Sequence, residues 1–372
     1  MTPASRPVVM ILDPSTAYTG ARRCGEQTAA ALSPACRVIL IEPEAYSGFR
    51  GDTAAFDGVE HLPLRQIRRS IRDLVVYGPS LLRSSVKLLA MLKRNRATTL
   101  IVNDVYLLHG VVCRLLGWQG QLVVWVRSDP AQMPGMLRRL WIGTNRRAAD
   151  RIVAVSDHVA AQLGDDPVVC RIYDHLPDEI VLPAAREGGQ RIVSIANFTR
   201  GKGQDLVLAA FAVIADEFPA ATLTLRGGDM GLEKNRKFRG EIEHSARAAG
   251  LSERVTIAGF GSTAEILKEC DVFVNFSASE TFSMTCLEAM GAGIPVVATR
   301  SGGPAEIVVD GITGVLVANG DVAAGAAALR TVLGDRELQL RMGTAGARRA
   351  RSKFGPDGFA AALKAALNLP SA

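Results

Sequence analysis

Aromatic residues make up only 5% of this 372-residue chain, and no apolar run approaches the roughly 20 residues that a bilayer crossing requires. Near the N-terminus, MTPASRPVVMILDPSTAY carries one early arginine and an apolar run of six residues ending at Asp13. Neither a signal peptide nor a membrane span fits that pattern, so a cytoplasmic protein is expected. The six cysteines (Cys24, Cys36, Cys113, Cys170, Cys270, Cys286) form no C-x-x-C pair and have no histidine at ligand spacing; reduced core thiols are the expectation. No Asp-x-Asp occurs and the five histidines do not cluster, so no metal site is expected. Few aromatics and no recognisable nucleic-acid module also argue against nucleic acid as a partner.

What is present is ordinary globular composition: 48% hydrophobic and 22% charged residues, net charge +6 and a pI near 9.1, with the excess of cations over acids lying in the first half. At this length two domains are expected. Apolar β-rich runs alternate with helix-compatible segments: PVVMILD, CRVILIEP, TTLIVND, QLVVWVRS and RIVAVS, then RIVSIA, ATLTLR, RVTIAG, DVFVNF, PVVAT and TGVLV. Near-continuous apolar strands predict parallel sheets buried on both faces, hence two doubly wound α/β domains with ligands at the carboxyl ends of strands. Prolines, a Gly-Gly and charges interrupt the rhythm near 174–190. This places one domain at 1–183, a second at 188–354, and a C-terminal helix at 355–372 that can pack back on the first.

The segment SETFSMTCLEAMGAGIPVVATRSGGPAE follows strand DVFVNF. A helix is predicted from about Ser283 to Ala292, with Thr281 or Ser283 as its cap. The backbone amides of Phe282, Ser283, Met284 and Thr285 then form a helix start that favours an anion such as phosphate. Glu280 stands beside this start and would repel phosphate, so neutral hydroxyls of the same ligand suit it better; Glu288 can hold a ribose in the same way. Without the surrounding motifs, the commoner reading of two such acids is a dipole complement at Glu280 and a solvated side chain at Glu288. In TRGKGQD, Arg200 and Lys202 follow strand RIVSIA, where cations would neutralise a leaving diphosphate. This is not a Walker A loop, because no Ser or Thr follows Lys202. GFGSTA has the outline of a dinucleotide fingerprint, yet the next strand lacks the required acid; Gly259 and Phe260 are taken as a turn near a nucleotide base.

NFTRGKGQDLVLAAF, the stretch from VTIAGFG to PVVAT, and SGGPAEIVVDGITGVLV together resemble the donor-binding half of family 4 glycosyltransferases. The likeness lies in E-x7-E (Glu280, Glu288), a small-residue turn at Gly293, G-x-P-V-V at Pro295 and the Gly302-Gly303 loop, in that order over about 191–318. The resemblance implies a GT-B fold, two Rossmann-like domains facing across a central cleft, and retaining transfer of a sugar from a UDP- or GDP-sugar, with no other cofactor. It implies that Glu280 holds donor-sugar hydroxyls, Glu288 the ribose, and the 282–285 backbone the sugar and diphosphate. It also draws Gly20 toward the diphosphate, although an ordinary helix-entry glycine accounts for Gly20 equally well. Two positions depart from the family: Asn197 stands where an arginine is usual, and Arg127, with Asp129 nearby, where a histidine often faces the sugar. An arginine cannot serve as a general base at neutral pH; His109 is an alternative, on an apolar helix where a core histidine is the commoner finding.

Arg65, Arg68, Arg69 and Arg72 recur at i, i+3, i+4 and i+7, with Ile67, Ile71, Leu74 and Val75 supplying apolar surface, and Arg83, Lys87, Lys93, Arg94 and Arg96 continue the trend. Such a face suits either an anionic membrane or plain solvent. The reading is therefore a glycosyltransferase acting on a glycan or lipid-linked acceptor, peripheral at the inner membrane face. A nucleotide-sugar epimerase of the same fold and a non-catalytic nucleotide-sugar-binding subunit remain open beside it, with an NAD-linked dehydrogenase last.

Overall fold

The computed structural model describes residues 6–16, 20–46, 55–64, 71–181 and 188–369. The chain forms two compact units, Met1–His175 with Pro356–Ala372, and Leu176–Gly355.

Unit 1 runs β1 (Val8–Leu12), α1 (Gly20–Leu32), β2 (Arg37–Pro43), β3 (Gly58–Leu62), α2 (Ile71–Arg94), β4 (Thr99–Asn103), α3 (His109–Leu115), β5 (Gln121–Val126), α4 (Gly135–Ala148), β6 (Arg151–Ala154), α5 (Asp157–Leu163) and β7 (Val169–Arg171). Its seven strands are parallel in the order β3-β2-β1-β4-β5-β6-β7. Ile11 lies opposite both Leu40 and Ile101, so β1 is central and buried on both faces, which explains its unbroken apolar run.

Unit 2 runs β8 (Arg191–Ile195), α6 (Gln204–Ile214), β9 (Thr222–Arg226), α7 (Glu233–Ala248), β10 (Val255–Ala258), α8 (Thr263–Lys268), β11 (Val272–Asn275), α9 (Met284–Gly291), β12 (Val296–Thr299), α10 (Pro304–Ile307), β13 (Gly314–Val317), α11 (Val322–Gly334) and α12 (Arg336–Lys353). Its sheet is parallel in the order β10-β9-β8-β11-β12-β13. Phe198, Phe211, Phe238 and Phe276 fill its core together with the aliphatic residues of α6 and α11. The last helix, α13 (Pro356–Ala366), returns to unit 1 and packs on α1. Its Ala366 carbonyl accepts from Gln121 Nε2 at 3.0 Å, and Phe359 meets Trp125 with ring centroids 6.1 Å apart.

In both sheets the strand order reverses direction beside the first strand, at β1/β4 and at β8/β11. Open parallel sheets bind ligands at such switch points, outside the carboxyl ends of the strands.

All eleven apolar runs are strands, and two strands come in addition. β3, GVEHL, alternates exposed and covered residues, and β7 has three residues at the sheet edge. Neither carries the continuous apolar run that marks a central strand. Of the basic stretch, Arg65, Ile67, Arg68 and Arg69 lie outside the described residues, as do the side chains of Ile71, Arg72, Leu74 and Val75. Residues 182–187 of the expected linker also lie outside them. Five of the six cysteines are buried, Cys170 is half-buried, and none is bridged. Among the described residues no helix is long and apolar enough to cross a membrane.

Candidate active site

At the β8/β11 switch point two loops meet. After β8 comes Gly201-Lys202-Gly203, where both glycines have positive φ, 92° and 75°. A Cβ on Gly203 would stand 2.1 Å from the Phe276 carbonyl oxygen, so only glycine lets this loop pass against the end of β11. The tight passage projects Lys202 sideways. Its Nζ lies 2.9 Å from Glu280 Oε1, which also accepts from Ser277 Oγ at 2.8 Å. Both bonds fall on one carboxylate oxygen; among the described residues Oε2 takes none. Ser277 is itself fixed, its amide donating to Asn275 Oδ1 at 3.0 Å and its carbonyl accepting from Thr299 Oγ1 at 2.6 Å.

The Gly302-Gly303 loop holds Glu280 from the other side. The Glu280 amide donates to Ser301 O at 2.9 Å and the Gly303 amide to Glu280 O at 2.8 Å. A side chain on Gly303 would collide with the Phe282 backbone at 2.1 Å. The two glycine loops therefore clamp one short segment, 280–282, with its acid facing Lys202.

The helix that follows starts at Met284, one residue after the expected Ser283. Ser283 is the N-cap residue, but in the left-handed region (φ 85°), and its side chain does not cap; its hydroxyl accepts from Asn275 Nδ2 at 3.1 Å. Thr281 is not the cap. The first-turn amides of Met284 and Thr285 have no acceptor within their own helix. The Phe282 ring turns into the core against Phe354, so this residue can serve a ligand only through its backbone. Glu288 is fully buried on α9.

The remaining predicted positions separate. Arg200 leaves the Lys202–Glu280 pair: it lies over the Phe238 ring, 5.0 Å from the centroid, and pairs with Glu241 of α7. Asn197 follows β8 with its Oδ1 buried and, among the described residues, unpartnered, while the neighbouring Gln204 Nε2 donates to the carbonyls of Ala196 and Asn197 at 3.0 and 2.9 Å. Exposed Phe260 lies against Gly228, and the Gly259 carbonyl accepts from Arg226 at 3.4 Å. Gly20 opens α1, exposed, with open space around its α-carbon.

Arg127 belongs to a different structure. It follows β5 in unit 1, buried, with Nε donating to Asn103 Oδ1 at 2.6 Å and Nη1 to both oxygens of Asp174 at 2.9 Å; Asn103 Nδ2 in turn reaches Asp13 Oδ2 at 3.4 Å. The guanidinium also lies over Trp125 at 4.6 Å. Burial alone would lower its pKa, but the facing acidic groups, Asp174 foremost with Asp13 behind it, together outweigh burial and hold it above the usual arginine range. Asp129 caps the short turn Pro130–Gln132. His109 is buried, its Nε2 2.9 Å from Ser84 Oγ, and burial pushes its pKa down to about 4.

Sequence reasoning missed Ser277, Gln204, Asp13, Asn103 and Asp174. Asp13 and Asn103 carry a visible signal, a polar residue closing an apolar strand. Ser277 and Gln204 carry one only beside Glu280 and Lys202.

Comparison with known proteins agrees with this division. Residues 181–349, wholly within unit 2, match the family model for glycosyl transferases group 1. HepE from Anabaena, crystallised with UDP and glucose, superposes with a TM-score of 0.81 at 18% identity, covering 97% of this chain and 99% of that one. The fold is GT-B. The α-1,3/1,6-mannosyltransferase ALG2 of Dictyostelium discoideum is 30% identical over 198 residues, 50% of this chain and 47% of that protein. D-inositol 3-phosphate glycosyltransferase of Streptomyces coelicolor is 36% identical over 167 residues, 43% and 36% respectively. The chain thus spans less than half the length of these curated relatives.

Proposed function

We propose that this chain is a retaining, metal-independent glycosyltransferase that moves a sugar from a UDP- or GDP-sugar to a hydroxyl of a glycan or glycolipid precursor. The observation that carries the reading is Lys202 held 2.9 Å from Glu280 at a switch point, beside a helix start that no side chain of its N-cap residue satisfies. The similarity of unit 2 to glycosyl transferases group 1 supports it.

In this scheme the Met284 and Thr285 amides and Lys202 receive the diphosphate, and Glu280 Oε2 accepts from sugar hydroxyls while Oε1 keeps its bonds to Ser277 and Lys202. Glu288 takes the ribose. As the bond from the anomeric carbon to the diphosphate breaks and the acceptor oxygen bonds to that carbon, the acceptor's proton passes to the departing diphosphate. Lys202 and the amides stabilise the negative charge that grows there.

The test is thermal stabilisation by UDP, GDP and their sugars, followed by transfer assays. A nucleotide at 100 times its dissociation constant adds about 2.7 kcal/mol of stability. Glu280→Ala is expected to keep the shift given by the bare nucleoside diphosphate and lose the extra shift given by the sugar. If no nucleotide raised the melting temperature, the reading would be wrong.

A further inference from the structure

Asn275, the last residue of β11, is buried and uses both ends of its side-chain amide at the candidate active site. Its Oδ1 accepts from the Ser277 amide at 3.0 Å, so Nδ2 is the end that donates to Ser283 Oγ, at 3.1 Å. Ser277 carries the first bond onward, its hydroxyl donating to Glu280 Oε1 at 2.8 Å and lying 3.3 Å from the Lys202 carbonyl oxygen. One side chain of β11 thus reaches both halves of the site, the carboxylate through Ser277 and the start of α9 through Ser283. The buried Cys286 thiol, in the first turn of α9, interacts with the same two side chains, Ser283 and Asn275.

Ser283 needs such a partner because of its backbone. Its φ of 85° and ψ of 78° lie in the left-handed region, where a Cβ crowds the backbone and glycine is the residue at ease. The neighbouring loops meet the same demand with glycine: Gly201, Gly203 and Gly302 all have positive φ. Serine at 283 keeps a side chain in a strained place, and strain of this kind persists only where surrounding contacts over-determine it. The Asn275 bond is that contact. A serine hydroxyl at an N-cap ordinarily turns inward and accepts from the second or third amide of its own helix. Drawn to Asn275 instead, the Ser283 hydroxyl leaves the Thr285 amide without that internal acceptor.

We infer that Asn275 is a positioning residue of the donor site: it holds Ser283 in its left-handed conformation, which keeps the helix start open to the diphosphate, and it holds Ser277 behind Glu280 for the sugar. Neither Asn275 nor the Ser283 hydroxyl touches the donor; they act through the Met284 and Thr285 amides and through the Glu280 carboxylate. The inference rests on the proposed reading of unit 2 as a nucleotide-sugar site and names the residue that ties its two halves together. The two arms have different consequences. Loss of the Ser283 arm weakens binding of any nucleoside diphosphate, whereas loss of the Ser277 arm removes only the further affinity that a sugar adds.

The experiment is calorimetric titration of the full chain with UDP, UDP-glucose, GDP and GDP-mannose, beside a melting curve for each variant. Asn275→Leu, close in size but unable to bond to either serine, should bind the bare diphosphate about tenfold more weakly and lose the further affinity given by the sugar. Adding Ser283→Gly removes the strained Cβ, so Asn275→Leu/Ser283→Gly should recover the diphosphate affinity to within about threefold while the sugar increment stays lost. A side chain that merely supported the fold would not produce that split. Ser283→Ala and Ser283→Gly leave β11 untouched and carry the test if Asn275→Leu does not fold. Both delete the hydroxyl, but alanine keeps the strain and should bind the diphosphate about tenfold more weakly than glycine. Equal binding by these two variants would overturn the inference, as would wild-type diphosphate affinity in Asn275→Leu or no recovery on adding Ser283→Gly. In each of those cases the wild type still binds and the proposed transfer stands. If the wild type bound none of these ligands, the proposed transfer would fail and this inference with it.

Discussion

The two sheets share a strand order, and each sets a cation against an acid beside its switch point, but the two pairs are built for opposite purposes. In unit 2, Lys202 and Glu280 meet at a half-open place between two glycine loops, and one carboxylate oxygen takes no bond among the described residues. In unit 1, Arg127 is sealed in, with Asn103 on Nε and Asp174 gripped through both oxygens. A pair with spare capacity can exchange partners with a ligand. A saturated buried pair holds the chain, here tying the end of β5 to the segment that leaves unit 1.

The largest effect should come from breaking the sealed pair. Arg127→Leu strands the Asp174 carboxylate in the interior, which typically costs 3–5 kcal/mol, whereas Arg127→Leu with Asp174→Leu should recover most of that loss. Urea midpoints of the two variants measure the difference. If Arg127→Leu melted like the wild type while transfer collapsed, Arg127 would be part of the chemistry and the contrast between the two units would fail.

The open pair should behave in the reverse way. Lys202→Ala removes charge stabilisation from the departing diphosphate and should lower the transfer rate about 10²- to 10³-fold, or roughly 2.7–4 kcal/mol in the barrier. Stability should change little, because a partly exposed pair contributes about 0–1 kcal/mol. Steady-state transfer with whichever nucleotide sugar stabilises the protein, read beside a melting curve, separates the two. A loss of stability as large as the loss of rate would mean that Lys202, too, is mainly structural.

This contrast also explains how far the sequence could be read. The strands of both units were legible because strands covered on both faces must be apolar throughout, and β3 and β7 escaped because edge position relaxes that demand. Unit 2's site was legible because it is local: Glu280 and Glu288 stand on one loop and helix, and glycines mark the close approaches at Gly203 and Gly303. Unit 1's network was not, because Asp13, Asn103, Arg127 and Asp174 come from four distant segments and only the folded sheet brings them together. Ser283 takes the expected N-cap position without capping through its side chain for a related reason. Its hydroxyl is claimed by Asn275 at the end of β11, a tertiary partner that overrides the local capping preference of serine.

His109 tests how closed the helical layer of unit 1 is. Its folded pKa, about 4, lies below the ordinary 6.5, so the unfolded chain takes up the proton first on acidification. The contribution of the buried neutral ring is therefore complete above pH 6.5 and is lost as pH falls toward 4, amounting to about 2 kcal/mol by pH 5. His109→Gln, which keeps a polar partner for Ser84, should flatten that part of the stability–pH curve. An unchanged curve would mean that the ring titrates normally and that the layer admits water.

The smallest effect should belong to Arg200, and it sharpens the contrast within unit 2 itself. Sequence proximity makes Arg200 and Lys202 look like one phosphate clamp, yet the turn between them sends Arg200 to Phe238 and Glu241 and leaves Lys202 alone with Glu280. For Arg200 to reach a diphosphate it would have to leave both partners. Arg200→Gln is thus expected to lower transfer less than tenfold and to leave the melting temperature within a degree or two, since an exposed pair is worth little. A loss matching that of Lys202→Ala would show that the arginine swings from α7 to the ligand, and that the two cations converge on the diphosphate after all.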